Sequence, residues 1–432
     1  MGTTLDRIKQ FIHDRRGALL ATTAAALPVV VGFAGLGVEV GMWYSDKRDL
    51  QTAADAAALS GAFERVRGNP NKLQSAATNE ATRNGFLVGG DNTIAVNNPP
   101  LSGSRAADPK AVEVVLTRPH GLLFAKLFLA NDVAIAARST AAVSTTGEAC
   151  VLALDRTAPR ALQNTGSSTV QMQGCVMASN SVAADAIYLS GSTTVNAYSL
   201  WTTGGIDNSG GSAAVTLSRP ATTHAWDLED PLAGFDPGPV PPCNPANDPT
   251  KVPKTGLIPN GMWCGGMTIG SSANVTMKGT YWIADGDLTI NSGAVVHCDC
   301  PNEADGVTII LTKKTVSYAH IKINGNADVQ LRAPKDPTDP FRGVLIYQDR
   351  GAPTSTNTWA NKLNGGATMK LEGSLYFPKQ GVEFTGNNSN SKTCTQIIAR
   401  VVAFTGNAYI DNSACKAAGV EPVTVTQARL VE

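Results

Sequence analysis

Residues 18–38 form a run of 21 amino acids without a charged side chain. Crossing about 30 Å of hydrocarbon takes roughly 20 such residues as a helix. Peptide groups in lipid have no water to bond, so a spanning segment of this kind satisfies them within a helix. A cleaved signal peptide would show an apolar stretch of about 7–15 residues before a small-residue cleavage site. This run is longer and continues through Gly41-Met42-Trp43-Tyr44. The reading is a retained anchor over residues 17–44, with Trp43 and Tyr44 in the aromatic belt of the outer interface. Arg7, Lys9, Arg15 and Arg16 precede the run, whereas Lys47 and Arg48 follow it beside Glu39, Asp46 and Asp49. Basic flanks stay on the cytoplasmic side. The expectation is a single-pass membrane protein with a cytoplasmic tail (1–16) and its bulk outside the cytoplasm. Within the span, Pro28 is expected to kink the helix. Gly37 and Gly41 have the spacing that packs partner helices, although glycine is common in such segments. Glu39 is expected at the outer end, reaching water.

Composition limits what the bulk can do. Lys+Arg and Asp+Glu are both 35, so no basic excess exists to neutralise phosphates and no nucleic-acid partner is expected. A hydrophobic content of 43% argues against wholesale disorder. Charged residues, at 16%, fall below the roughly 25% of ordinary soluble domains, which fits a chain of many short strands and turns. Eight cysteines, at 150, 175, 243, 264, 298, 300, 394 and 415, all follow the anchor. An even set places them in an oxidising compartment, although their number allows about 105 connectivities.

Just outside the anchor, Leu50, Ala53, Ala54, Ala57, Ala58 and Gly61 recur at helical spacing and give one face of small residues. This predicts a helix over 46–66, continuous with the anchor. A second helix is predicted over 72–83, ended by Asn84-Gly85. Strands are predicted over 93–96, 111–117 and 132–143, and a helix over 122–129. Together these make a small α+β module, residues 45–146.

Arg16-Gly17-Ala18, Ala26-Leu27-Pro28-Val29-Val30, Gly35-Leu36-Gly37-Val38-Glu39-Val40-Gly41 and the run from Leu50 to Ala62 (LQTAADAAALSGA) stand in a distinctive combination. It resembles the N-terminal segment of TadG-like Flp (Tad) pilus-assembly proteins, which usually carry an acidic residue where Glu39 stands. The resemblance implies an envelope protein whose partners are the inner membrane and other Tad pilus-assembly proteins. Some relatives carry a von Willebrand A domain whose metal site needs Asp-x-Ser-x-Ser. Here Leu154-Asp155-Arg156-Thr157-Ala158-Pro159 lacks both serines, so that site is not expected. Related pseudopilins carry a glutamate about five residues after the processing glycine, and the equivalent place near Thr22 has no acid. Pilin-type processing and polymerisation are therefore not expected. Asp230-Pro231-Leu232 and the runs 260–269, 343–350, 371–378 and 404–408 resemble the extracytoplasmic region of such proteins.

From about Cys150 short alternating strands recur between Gly, Asn and Ser turns. Examples are Thr169-Val170-Gln171-Met172, Thr194-Val195-Asn196-Ala197, Asn274-Val275-Thr276-Met277 and Asp328-Val329-Gln330-Leu331. A period of 20–25 residues suits one coil of a solenoid, whose coils bury an apolar face only by stacking. The expected fold is mainly β, a right-handed parallel β-helix in two parts, 147–218 and 261–432. A β-sandwich or jelly roll is the alternative, though such folds space their strands at about 8–12 residues. Residues 219–260 hold ten prolines, which cannot donate to a ladder, and are expected to form an extended crossing segment or linker.

Chemistry is sparse. His297-Cys298-Asp299-Cys300 is the densest group of metal-ligand types, but no C-x-x-C pair accompanies it. Bridging is the simpler expectation. Neighbouring coils would bring cysteines some 20 residues apart together, which suggests the pairs Cys394 and Cys415, Cys243 and Cys264, and Cys150 and Cys175. A polysaccharide-active β-helix enzyme would need clustered carboxylates, for which Asp285 with Asp287, or Asp349 with Arg350, are the candidates. Both fit turns and ion pairs better. The histidines at 13, 120, 224, 297 and 320 are scattered, no phosphate-cradling GxxxxGK[ST] occurs, and Asn387-Asn388-Ser389 fits a turn. No catalytic, cofactor-binding or metal-binding residue is assigned. The expected role is non-enzymatic: an anchored extracytoplasmic component of Tad/Flp pilus assembly, contacting proteins or envelope glycans. A surface adhesin or glycan-binding β-helix protein is the first alternative, and a polysaccharide-active enzyme the second.

Overall fold

The computed structural model describes residues 15–354, 359–364, 369–386 and 394–432. The sequon Asn387-Asn388-Ser389, His13 and most of the N-terminal tail lie outside them. The chain divides into two compact units, Met1–Thr145 with Thr426–Glu432, and Thr146–Val425.

In the first unit, helix α1 (Arg15–Val66) runs unbroken through Pro28 for 52 residues. At about 1.5 Å per residue it is roughly 78 Å long, more than twice the thickness of a hydrocarbon core. Its second half buries Leu50, Ala53, Ala54, Ala57, Ala58 and Ala62. Alanine costs no rotamer entropy in a helix and lets neighbours approach closely. Helix α2 (Leu73–Arg83) lays Leu73, Ala77 and Ala81 into the same core. Under them lies an antiparallel sheet of β1 (Thr93–Asn97), β2 (Ala111–His120) and β3 (Val133–Ala153), which contributes Val112, Val114, Leu116 and Ile135.

The module extends beyond residues 45–146, because the end of the chain returns to it. Thr140 exchanges backbone hydrogen bonds with Val431 and Glu432. The helix expected over 122–129 is absent. Only a single 3-10 turn, Ala125–Leu127, forms there, in the loop between β2 and β3. A segment this short is marginal as a helix without a packed face, and its amides are used elsewhere, as described below.

The second unit repeats one pattern. Three short strands make a tier, and each strand pairs in parallel with its counterpart in the next tier. One series of tiers runs Thr255–Leu257, Gly261–Cys264 and Met267–Ile269, then Asn274–Met277, Gly279–Ala284 and Leu288–Ile290. Next come Val295–Cys298, Val307–Thr312 and Ile321–Ile323, then Asp328–Arg332, Val344–Gln348 and Asn361–Asn364. The long bent strands Lys370–Gly386 and Thr395–Asp411 each supply a whole tier. The other series begins with residues 149–153, Leu162–Asn164 and Thr169–Gln173. It continues through Val176–Ser179, Ile187–Gly191 and Thr194–Ala197 to Ser199–Thr202, Ile206–Gly211 and Ala214–Leu217.

The two series are continuous in space. Tier 395–411 pairs in parallel with tier 149–173 through Ile397 with Val151, Val402 with Leu162, and Ala408 with Val170. The chain therefore enters the stack at its middle, and the first and last tiers of the sequence meet there. One inward column runs Ile269, Ile290, Ile323, Leu363, Phe384, Phe404, Asn164, Leu189 in register, every member buried. Each of the Ile, Leu and Phe side chains contributes roughly 1.5–3 kcal/mol by leaving water. Asn164 is the polar exception, at the joint, where its side chain accepts from the Ser168 hydroxyl.

The proline-rich stretch is a packed strap rather than a free linker, and its last residues, Thr255–Leu257, are already strand. It carries the chain from the tier ending at Leu217 back to the tier beginning at Thr255, passing the intervening tiers in order. Trp226 C=O accepts from Trp201 Nε1 (3.1 Å), and Leu228 exchanges two 2.8 Å bonds with the Asn180 side chain. Asp230 accepts from the Tyr376 hydroxyl (2.7 Å), and Pro241 C=O from Lys314 Nζ (3.2 Å). Leu228 and Leu232 are buried against Trp201, Met262, Trp282 and Tyr376. Prolines suit this path because between Thr222 and Thr255 it crosses the strands without joining a ladder.

Candidate functional site

The first half of α1 exposes its apolar side chains, Leu27, Val29, Val30, Val31, Phe33 and Val38 among them, whereas the second half is part of a core. It is long and apolar enough to cross a membrane, with a mean hydropathy of 1.8 in its most apolar window. At the changeover the helix is tied to the rest of its unit by polar contacts. Asp46 pairs with Arg118 Nη1 (2.5 Å), whose guanidinium lies over the Phe86 ring at 5.7 Å. Gln51 Nε2 donates to Arg138 C=O (3.0 Å), and Lys47 Nζ to Ala136 C=O.

Glu39 does not reach water. The residue is 2% exposed, and its carboxylate accepts from the backbone N–H of Leu123 and of Ala125, each at 2.7 Å. One turn earlier, a Cβ at Gly35 would lie 2.5 Å from the Phe124 ring, so only glycine lets the loop sit this close. Gly37 and Gly41, the pair with partner-packing spacing, meet nothing within 4 Å and stay open.

Deeper in the module, Glu113 is buried and accepts from Arg138 Nε (2.6 Å), Asn97 Nδ2 (2.8 Å), the Ser102 hydroxyl (2.8 Å) and Leu101 N–H (3.1 Å). Burial alone would raise its pKa. These donors outweigh that and bring it from 4.5 down to about 2. Arg138 also grips the Glu432 carboxylate (2.6 Å). No sequence pattern marks this triad, because its members come from three distant stretches.

Residues 17–64, nearly all of α1, match the family model Tad, described as putative Flp pilus-assembly TadE/G-like. The chain thus carries a TadE/G-like segment at its N-terminus, and the family points to Flp pilus assembly. No curated protein and no solved structure matches the chain.

The second unit accounts for the remaining candidates. Cys150 pairs with Cys175, Cys243 with Cys264, Cys394 with Cys415, and Cys298 with Cys300. Only the first joins neighbouring tiers. Cys243 to Cys264 pins the strap to the stack, and Cys394 to Cys415 ties the last tier to the short helix Cys415–Ala418 that follows it. His297, Cys298, Cys300, Gln330, Arg332 and Glu372 line a cavity of about 310 Å³. Cys298 and Cys300 face each other there, and His297 Nε2 meets Asp328 at 3.1 Å. Among the described residues no three His, Cys, Asp or Glu side chains are grouped to hold a metal ion.

The carboxylates considered for sugar chemistry are tied into local structure. Asp285 accepts from the amides of Lys314, Thr315, Val316 and Ser317 and from the Thr315 hydroxyl. Burial pushes its pKa up, but these donors hold it well below the usual range. Asp287 is lowered chiefly by the His320 side chain, with Lys322 Nζ at 2.7 Å adding to it. Asp349 accepts from the Thr312 hydroxyl (2.8 Å) and Gly351 N–H (2.7 Å). Arg350 holds the strap, donating to the carbonyls of Phe235 (2.7 Å) and Leu232 and to the Tyr376 hydroxyl (3.0 Å). Asp155 folds its own turn through Thr157 and Ala158 and pairs with Arg400 at 2.7 Å.

Proposed function

We propose that the protein is a non-enzymatic, single-pass component of Tad/Flp pilus assembly, anchored in the inner membrane by the first half of α1. The observation that carries this is the division of one TadE/G-like helix into an exposed apolar half and a half built into a folded core. Four disulfides and the basic residues before the span support a periplasmic bulk. The three-strand parallel repeat supports reading the second unit as a parallel β-helix rather than a sandwich, right-handed by the general rule for parallel crossovers. It offers a long surface to other Tad proteins or envelope glycans. A strain lacking the gene is expected to lose surface pili counted by electron microscopy, with piliation restored by the full chain. Unchanged pilus counts would overturn the proposal.

A further inference from the structure

We propose that the loop between β2 and β3, residues 121–132, dips into the bilayer beside α1 and rests among acyl chains of the leaflet on the module's side. This rests on the reading that α1 crosses the membrane. Hairpin loops are ordinarily about 2–5 polar residues. This one is Gly-Leu-Leu-Phe-Ala-Lys-Leu-Phe-Leu-Ala-Asn-Asp. Its apolar side chains are displayed rather than packed: Leu127 is 77% exposed, Phe128 70%, and Leu123, Phe124 and Leu129 are exposed too. An apolar cluster of this kind marks a membrane or protein contact.

Its place on α1 selects lipid. The Phe124 ring lies against Gly35, inside the uncharged run and about 4.5 Å short of its end at Val38. Whatever is held at that level lies in hydrocarbon whenever the helix does. Glu39, at the boundary, needs donors once water is excluded, and the amides of Leu123 and Ala125 provide them. The same two bonds fix the loop's depth. Lys126, the loop's one basic residue, has a stem long enough to carry its ammonium back to the headgroups.

The test uses the full chain in phosphatidylethanolamine/phosphatidylglycerol vesicles doped with a phospholipid bearing a diazirine in its acyl chain. Carbene adducts are mapped by mass spectrometry. Adducts are expected within 18–38 and on the loop, each at least fivefold above peptides from 162–217. A labelled helix with the loop at background overturns the inference, leaves the anchor standing, and assigns the loop to a protein partner. An unlabelled helix overturns the anchor itself. Glu39→Gln and Gly35→Leu are each expected to cut loop adducts at least threefold with helix adducts unchanged. Loop labelling indifferent to both variants overturns the clamp that sets its depth.

Discussion

The two units solve the burial problem with opposite materials. The first brings helix and sheet together by making the contact small, with Ala53, Ala57 and Ala62 on α1. The second stacks its tiers by making the column large, with isoleucines and phenylalanines in register. Small contacts give little area per residue, and the first unit adds a charged triad in which the buried Glu113 pairs with the part-exposed Arg138, which also holds Glu432. Large contacts gain most of their stability from area, and the polar groups of the second unit are free to shape turns. The lesson is that one chain carries a charge-pinned unit built on small contacts and a repetitive one built on large ones.

That contrast can be broken most directly at the column. Phe404→Ala, at the joint beside Phe384, is expected to cost about 3–5 kcal/mol, read by denaturant unfolding. Hydrogen exchange resolved by peptide should place the loss in the second unit and leave α1 and α2 protected. Next, Arg138→Ala is expected to cost the first unit about 2–3 kcal/mol, since Glu113 loses a charged donor. The sign with pH follows from the lowered pKa. The carboxylate stabilises the fold fully above its ordinary 4.5, and that contribution disappears as pH falls toward about 2. Acid should therefore loosen exchange in the first unit of the parent chain, and the variant should lose much of that dependence. The smallest effect is expected from Arg350→Ala, about 1–3 kcal/mol. Its sharper signature is faster proteolysis between residues 219 and 254, with the tiers still resistant.

Much of this was legible in the sequence where physics is local. The long apolar helix followed from length and absence of charge, the alanine face from spacing, and the pairing of Cys150 with Cys175 from the repeat period. Other features depend on residues far apart. Nothing near Ile397 announces that it pairs with Val151, so the joining of the two series could not be read. Cys243 with Cys264, and Cys394 with Cys415, were expected for a reason that the structure replaces: neither pair joins neighbouring tiers. The run 122–129 looked helical because its apolar residues recur at helical spacing. Two of its amides, those of Leu123 and Ala125, are instead engaged by Glu39, over 80 positions away. Asp285, Asp287 and Asp349 carried no sign of how many donors their turns supply.

The entry of the chain at the centre of the stack has a consequence for its making. Residues 149–173 emerge early during synthesis with one set of strand edges unmatched, and those edges stay bare until residues 395–411 have been made. Bare strand edges invite pairing with other chains. A polypeptide stopped short of residues 395–411 would hold two unsealed seams, so that one stretch closes both.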